Sequence, residues 1–526
     1  MRRRPQRSSR GIAAEVPNFQ YDGPQRRGVV EPAIVASDGF KSNVPALRIS
    51  VRNDRPADAC GKYVLYWMIM SRRRGFNFSL QRAVEWATEL GRPLIVLEAL
   101  RCGYPWANDR IHQFMLDGMA DNARAFAGTS VLHYAYIEPE IGAGKGLLAK
   151  LAEDACVVIT DEFPCFMLPR MVDAAVNQVD KRFEVIDSNG LLPLRAADRA
   201  FQRAFDFRRF LQRNLPVHLM QFPKADPLRN VHLPSLMRLP SEITRRWPRA
   251  NARTLERSTD MLSELPIDHA VMPLAIRGGA NAAARRLDRF VRSRLAQYAN
   301  ERGHPDSEAT SGLSPYLHFG HISVHQIFGR IAKVERWTVD QLSDGANGSK
   351  NGWWRMSDNA EAFLDELVTW RELGYNMCAQ RPKDYDKYES LPEWARATLE
   401  EHATDPRPHI YSLPELDAGR THDPLWNAAH RQLREHGWFH NTMRMLWAKK
   451  IIEWSPHPRD ALAAMIELMN KYSLDGRNPN SYSGYFWALG RYDRPWPERP
   501  IFGKVRYMSS QSTGRKHRMS DYMRRH

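Results

Sequence analysis

Five short apolar runs, at residues 63–70 (YVLYWMIM), 93–100 (PLIVLEAL), 130–137 (SVLHYAYI), 156–160 (CVVIT) and 183–187 (FEVID), alternate with segments of helical period such as 80–90 and 111–127. Near-continuous apolar strands separated by helices predict a parallel sheet covered on both faces, hence a Rossmann-like α/β domain over residues 46–195. Beyond it the strand pattern stops. Residues 196–250, with the Pro-rich stretch 234–248, read as a linking region, and residues 251–508 as an all-helical domain broken at 345–352. Residues 1–45 are rich in Arg, Pro, Gly and Ser without periodicity and predict a disordered basic arm; residues 509–526 read as a basic tail.

One predicted helix departs from simple amphipathicity. In residues 437–454 (GWFHNTMRMLWAKKIIEW), His440, Arg444, Trp447, Ile451 and Trp454 follow the three-four spacing of a single stripe. A guanidinium keeps its proton in a protein, so burying Arg444 beside two indoles demands a carboxylate or a bound anionic ligand. Ten of the fifteen tryptophans lie between Trp353 and Trp496. Glu366 and Trp370, four apart, share a helix face. Thr310, Ser311, Gly312 and Ser314 place hydroxyls and backbone amides before a helix that Pro315 can start, an arrangement suited to a diphosphate or to a simple cap. No glycine-rich loop follows the first strand, where Met70, Ser71, Arg72, Arg73 and Arg74 stand, which argues against ordinary dinucleotide binding at that turn. Asp161 and Glu162 end the fourth strand, where open α/β sheets place ligands.

Composition changes this picture in three ways. A net charge of +16, from 76 Lys and Arg against 60 Asp and Glu, favours a polyanionic partner. The longest apolar run is far short of a bilayer span. Five cysteines are scattered without metal-ligand or redox-pair spacing, which fits a reduced, cytoplasmic setting and predicts no metal site.

Residues 437–445 resemble the flavin-contacting signature of the DNA photolyase and cryptochrome family, and other segments match that family in order. Residues 311–323 (SGLSPYLHFGHIS) resemble its flavin-phosphate segment, with Tyr298 preceding Thr310 at the family's spacing. Residues 363–373 (FLDELVTWREL) resemble the substrate-contacting helix, and 474–487 (LDGRNPNSYSGYFW) the segment beneath the isoalloxazine. Residues 498–508 (ERPIFGKVRYM) are similar to the closing stretch of class II photolyases.

The resemblance implies a monomeric flavoenzyme that repairs cyclobutane pyrimidine dimers in UV-damaged DNA, by electron transfer from excited, reduced FAD in its anionic hydroquinone form. It implies FAD contacts from Tyr298, Thr310, Ser311, Gly312, Leu313, Ser314, Asn441, Arg444, Asp475, Gly476 and Arg477, with Asp475 as the carboxylate for Arg444 against the flavin ring. Glu366 would hydrogen-bond the extruded dimer, Trp370 and Trp487 would cradle it, and Met445 would line the same pocket. Arg302, Lys504 and Arg506 would hold DNA phosphates. Trp447, Trp426 and Trp454 match an electron-transfer chain with Trp447 nearest the flavin, and Tyr485 stands where class I enzymes place their proximal donor. A second, antenna chromophore of deazaflavin or folate type is left unassigned. Two positions depart from the pattern: Met469 stands where many class II sequences carry an asparagine near flavin N5, with Asn470 next, and the arginine run 72–74 is unlike many class II members. A cryptochrome-like light receptor is the alternative from another functional class, opposed by the retention of Glu366, Trp370 and Trp487. A (6-4) photolyase would need a histidine pair, and His440 has no evident partner in the sequence.

Overall fold

In a computed structural model, residues 42–256 and 258–526 are described. Most of the predicted arm, residues 1–41, lies outside them; from Ala46 the chain forms a short turn and then strand β1 (Ile49–Val51). The five apolar runs become β2 (Tyr63–Trp67), β3 (Leu94–Leu100), β4 (Leu132–Ile137), β5 (Ala155–Asp161) and β6 (Arg182–Ile186). Their order is β1-β6-β5-β2-β3-β4. Strands β2 to β6 pair in parallel, whereas β1 adds antiparallel to β6 with Ile49 opposite Ile186. Only three residues long and partly exposed at the sheet edge, β1 carries too little apolar pattern to be read from sequence. Along β2 the pleat sends Tyr63, Leu65 and Trp67 to one cluster, and Val64 and Tyr66 to another packed on the helix Phe78–Glu89.

The charged candidates in this domain turn out to hold the fold. Asp161 Oδ2 accepts the amides of Ile69, Met70 and Ser71 at 2.9, 2.8 and 2.9 Å, and Glu162 pairs with Arg195 at 2.7 Å. Arg72 pairs with buried Glu98 at 3.2 Å, Arg74 with Asp226 at 2.7 Å, and Arg73 Nη1 donates to the Gly320 carbonyl at 2.8 Å. Gly320 has φ +68°, and a Cβ there would lie 1.7 Å from the Met70 carbonyl oxygen, so the two halves of the chain press together where only glycine fits.

The region predicted to link the halves is not a plain linker. It contains the helix Ala204–His218, whose Phe207, Leu211 and Leu215 join the core around Leu364, Leu367 and Val368, and whose Arg208 pairs with Asp365 at 2.8 Å. Pro216 in its last turn and its many arginines mask the period. The basic tail also folds, as helices Ser510–Lys516 and Ser520–Arg525. Tyr522 donates its amide to Asp306 at 2.7 Å and its hydroxyl to Gln432 at 3.0 Å. Between helices Asp358–Leu364 and Arg371–Gln380 the chain widens into i→i+5 turns over Asp365–Trp370, a form found mostly at functional sites. Among the described residues no helix is long and apolar enough to cross a membrane.

Candidate functional site

The helix Asn441–Trp454 is started by His440, whose Nδ1 accepts the Thr442 amide at 3.2 Å. His440 is thus a cap, not a member of the helical stripe. Burial drives its imidazole down to about 4, and its Nε2 is buried without a partner. Asn441 is exposed. One turn on, Arg444 Nη2 lies 3.6 Å from Asp475 Oδ2, as the resemblance implied, but its Nε is buried and unpartnered. A buried guanidinium N–H without an acceptor is costly, so this one calls for a ligand. Burial pushes the Asp475 carboxyl up, yet Arg444 and hydrogen bonds from Ser473 and Ser314 outweigh it and hold the group below its ordinary range. Ser314, Arg444 and Asp475 therefore converge from three separate segments.

The 310–314 segment is shaped from behind by two arginines that the sequence reading did not single out. Arg294 Nη1 donates to the Thr310 carbonyl at 3.3 Å and Arg286 Nε to the Ser311 carbonyl at 2.9 Å. Arg286 belongs to the helix Ala280–Ser293 and stands against Gly312, which has φ +63°. Burial, with Arg294 and Arg289 nearby, lowers its guanidinium below the ordinary value. A mostly buried arginine repelled by other arginines is a sign of an anion site; its trace in the sequence is the Arg285–Arg286 pair on the preceding helix Ala280–Ser293. The helix Ser314–His318 begins after Leu313 without a side-chain cap, so the simple-cap reading of these hydroxyls does not hold. Tyr298 is buried edge-on against Phe290 and Phe363, at 5.7 and 5.4 Å between ring centroids.

The Arg477 side chain, expected among the cofactor contacts, is engaged within the protein. Its guanidinium donates to the carbonyls of Asn470 and Ser473, and its amide donates to Asn470 Oδ1 at 2.7 Å, closing the end of the helix Pro458–Tyr472. Gly476 packs at the same place, where a Cβ would lie 2.7 Å from the Met469 carbonyl oxygen. Met469 is wholly buried in the core that holds Trp447. Asn470 carries the polar role at this turn: its Oδ1 also accepts the Tyr485 hydroxyl at 3.2 Å, and its Nδ2 is buried without a partner.

Trp447, Trp426 and Trp454 are all buried and form a continuous path. The rings of Trp447 and Trp426 stack at 6.1 Å with 5° between planes, and Trp426 meets Trp454 edge-on at 5.5 Å. Trp426 Nε1 donates to the Trp447 carbonyl at 3.0 Å. His430, which the sequence reading passed over, stacks near-parallel to both Trp426 and Trp447 at 5.1 and 6.3 Å, and its Nδ1 accepts Trp447 Nε1 at 3.3 Å. Burial holds its imidazole at about 4, hence neutral, so it adds no positive charge beside the indoles.

Glu366 and Arg302 form an ion pair, each about one-third exposed, and Arg302 also lies over the Tyr298 ring at 5.6 Å. Trp370 and Trp487 are half-buried and pack against one common apolar cluster; Met445 is half-buried too. Arg506 lies over the Trp487 ring at 5.6 Å and over Trp496 at 5.0 Å. Lys504 is placed apart from these, exposed and within 4.0 Å of Glu498.

A separate cavity of about 450 Å³ opens at the carboxyl ends of the parallel strands. Trp67, Met70, Tyr104, Tyr136, Phe163 and Phe166 give it aromatic and apolar walls, with Arg72, Lys145 and Glu138 as charged groups. His318 and Arg477 also line it, placing it back to back with the Asp475 turn.

No protein-family model matches the chain. It is similar to the deoxyribodipyrimidine photo-lyase of Methanothermobacter thermautotrophicus, 32% identical over 483 residues that cover 92% of this chain and 98% of that one. The deoxyribodipyrimidine photo-lyase of Arabidopsis thaliana is 32% identical over 488 residues, covering 89% and 90%. In fold the chain is similar to a bacterial class III photolyase from Agrobacterium tumefaciens, with a TM-score of 0.62 and 18% identity over 88% of this chain and 86% of that one.

Proposed function

Because the chain belongs to the deoxyribodipyrimidine photo-lyase family, we propose that it is a class II enzyme that repairs cyclobutane pyrimidine dimers in UV-damaged DNA with reduced FAD and light. The observation that carries the reading is the path Trp447–Trp426–Trp454, which starts three residues after Arg444 and ends beside the partly exposed Tyr411 and the exposed His422. A packed core has no need of three indoles in file, whereas a redox cofactor that must be kept reduced does.

The residues fit the dinucleotide. Arg286, with the Thr310–Ser314 amides and hydroxyls, would hold the diphosphate, and the unpartnered Arg444 Nε and Asn470 Nδ2 are donors for the oxygens and nitrogens of the ring. When bound, FAD supplies the light-excited electron donor that the repair needs. Arg444 holds positive charge at the site without losing its proton, and Asp475 fixes its direction. Glu366 would exchange Arg302 for the dimer, releasing Arg302 to a phosphate, while Trp370 and Trp487 recover stacking energy of about 1 to 3 kcal/mol per base. The aromatic cavity at the sheet end suits a planar antenna pigment, its acidic groups facing Arg72 and Lys145.

The test is to illuminate the reduced protein with an oligonucleotide carrying a defined thymine cyclobutane dimer, beside a dark control and a (6-4) photoproduct substrate. Light-dependent loss of the cyclobutane dimer alone is expected. Equal lack of repair in light and darkness would sink the reading.

A further inference from the structure

Lys449 lies one turn beyond Met445 on the helix Asn441–Trp454 and is completely buried. Its Nζ donates to the Ala488 carbonyl at 2.6 Å and lies 5.2 Å from the centroid of the Trp487 ring. None of the ion pairs among the described residues includes it, whereas its neighbour Lys450 has Glu453 at 2.8 Å and Asp423 at 3.9 Å. A buried ammonium without a carboxylate is among the costliest groups a core can hold, and an apolar side chain of similar volume would fill the space without that cost. Both of its contacts fall on one feature. Ala488 ends the helix Pro479–Ala488, its carbonyl is one of the acceptors a helix end leaves open, and Trp487 is the residue before it. From elsewhere in the chain Arg506 lies over the same indole at 5.6 Å.

We propose that Lys449 is a positioning residue for the lesion pocket, its ammonium locking the last helical turn and the Trp487 indole in the orientation that receives an extruded pyrimidine dimer. This rests on the reading of Trp487 as a wall of that pocket. The lock responds to pH. Burial pushes the Lys449 ammonium down to about 7, with Asp493 raising it and Arg506 lowering it further. Asp493 and Arg506 are the charged groups that act on it. Lys450, on the same helix, is turned to Glu453 and Asp423, and Arg491 is engaged with Tyr385 and Ser390. Below neutral pH the cation–π contact is in place; above it a neutral amine keeps the carbonyl bond but loses the attraction to the ring.

The experiment measures Kd for a duplex carrying one cyclobutane dimer and for the undamaged duplex, from pH 6 to pH 9, using the flavin-loaded protein and the variants Lys449→Met, Lys449→Arg and Trp487→Ala. In the native protein the dimer Kd should rise across this range while that of undamaged DNA follows no such step. Lys449→Met should raise the dimer Kd about threefold to thirtyfold at pH 6 and be flat with pH, the range expected of a cation–π contact. Lys449→Arg, which cannot lose its charge, should bind tightly and without the pH step. A Lys449→Met protein that tracks the native one, while Trp487→Ala loses dimer preference, overturns the role of Lys449 alone. Trp487→Ala protein that still prefers damaged DNA overturns the pocket reading and this proposal with it. Should Lys449→Met fail to fold, Lys449→Arg decides: pH-flat tight binding supports the lock, and a native-like pH step overturns it.

Discussion

Two sets of buried charge in the molecule are arranged in different ways. In the α/β half, Arg82 meets Glu184 at 2.7 Å, while Glu98 is held by Arg72, His133 and Asn122 together. In the helical half, Arg444 keeps a free Nε beside Asp475, Arg286 donates only to a carbonyl, and Lys449 has one acceptor and an indole. Closed networks repay the cost of burying charge internally, so they hold a scaffold in place; open ones leave the cost standing until something else binds. Leftover donors occur in both halves, at Arg48 and Arg195 as at Arg444; what sets Arg444 apart is that its pair with Asp475 also draws in Ser314 from a third segment.

This contrast can be broken most directly by comparing Glu98→Gln with Arg444→Ala. Each uncouples a buried pair and should lower stability by about 3 kcal/mol in denaturant titrations. Only Arg444→Ala should also lose bound flavin, read as flavin absorbance per protein. Equal flavin loss from both variants would erase the distinction between scaffold and site. Next in size is Trp426→Phe, which should stop photoreduction of oxidised flavin, followed by transient absorption, while leaving flavin content and dimer binding in place. Unchanged photoreduction would return the three indoles to packing.

Acid sharpens the contrast from another side. His430 and His440 are held near 4, and His318 and His321 near 3, all by burial. Each binds a proton in the unfolded chain below its ordinary value near 6.5 but not in the folded one until far lower pH. Stability is therefore full above about pH 6.5 and falls as pH drops towards 4, by up to about 1.4 kcal/mol per unit per histidine. Denaturation midpoints measured from pH 7 to pH 4 should show this decline, and His430→Asn should make it shallower by one proton. The smallest effect belongs to the rim: Lys504→Gln should reduce the slope of log affinity against log salt by about 0.9 on duplex DNA without altering the preference for damaged sites.

Much of the architecture was legible because strands β2 to β6 are short apolar runs with clear punctuation. That Arg444 needs a partner was legible for a different reason: an arginine at helical spacing with two tryptophans needs an explanation that core packing does not offer, and the family resemblance then pointed to Asp475. What stayed hidden depends on three-dimensional neighbours. Nothing local marks Arg286 as facing Gly312, or His430 as lying against two indoles. Arg477 was expected at the cofactor from the resemblance of its segment, yet its backbone, at φ +59°, turns the guanidinium to the helix end. The amide expected at position 469 is found on Asn470, since the turn after that helix brings residue 470 against Tyr485 and Arg477. Helix Ala204–His218 was hidden by its own proline, and the tail by its charge.

The widened turn over Asp365–Trp370 also limits how this chain can vary in length. An i→i+5 turn houses an additional residue that a regular helix would not accommodate. Deleting a single residue there would restore an ordinary helix with the flanking turns still in phase, but it would change the directions of Glu366 and Trp370, both inside the stretch, relative to each other. Glu366 could then stay beside Arg302, or Trp370 against its apolar cluster, but not both. Surface loops elsewhere can absorb insertions and deletions, whereas this segment is fixed in residue count as well as in residue type.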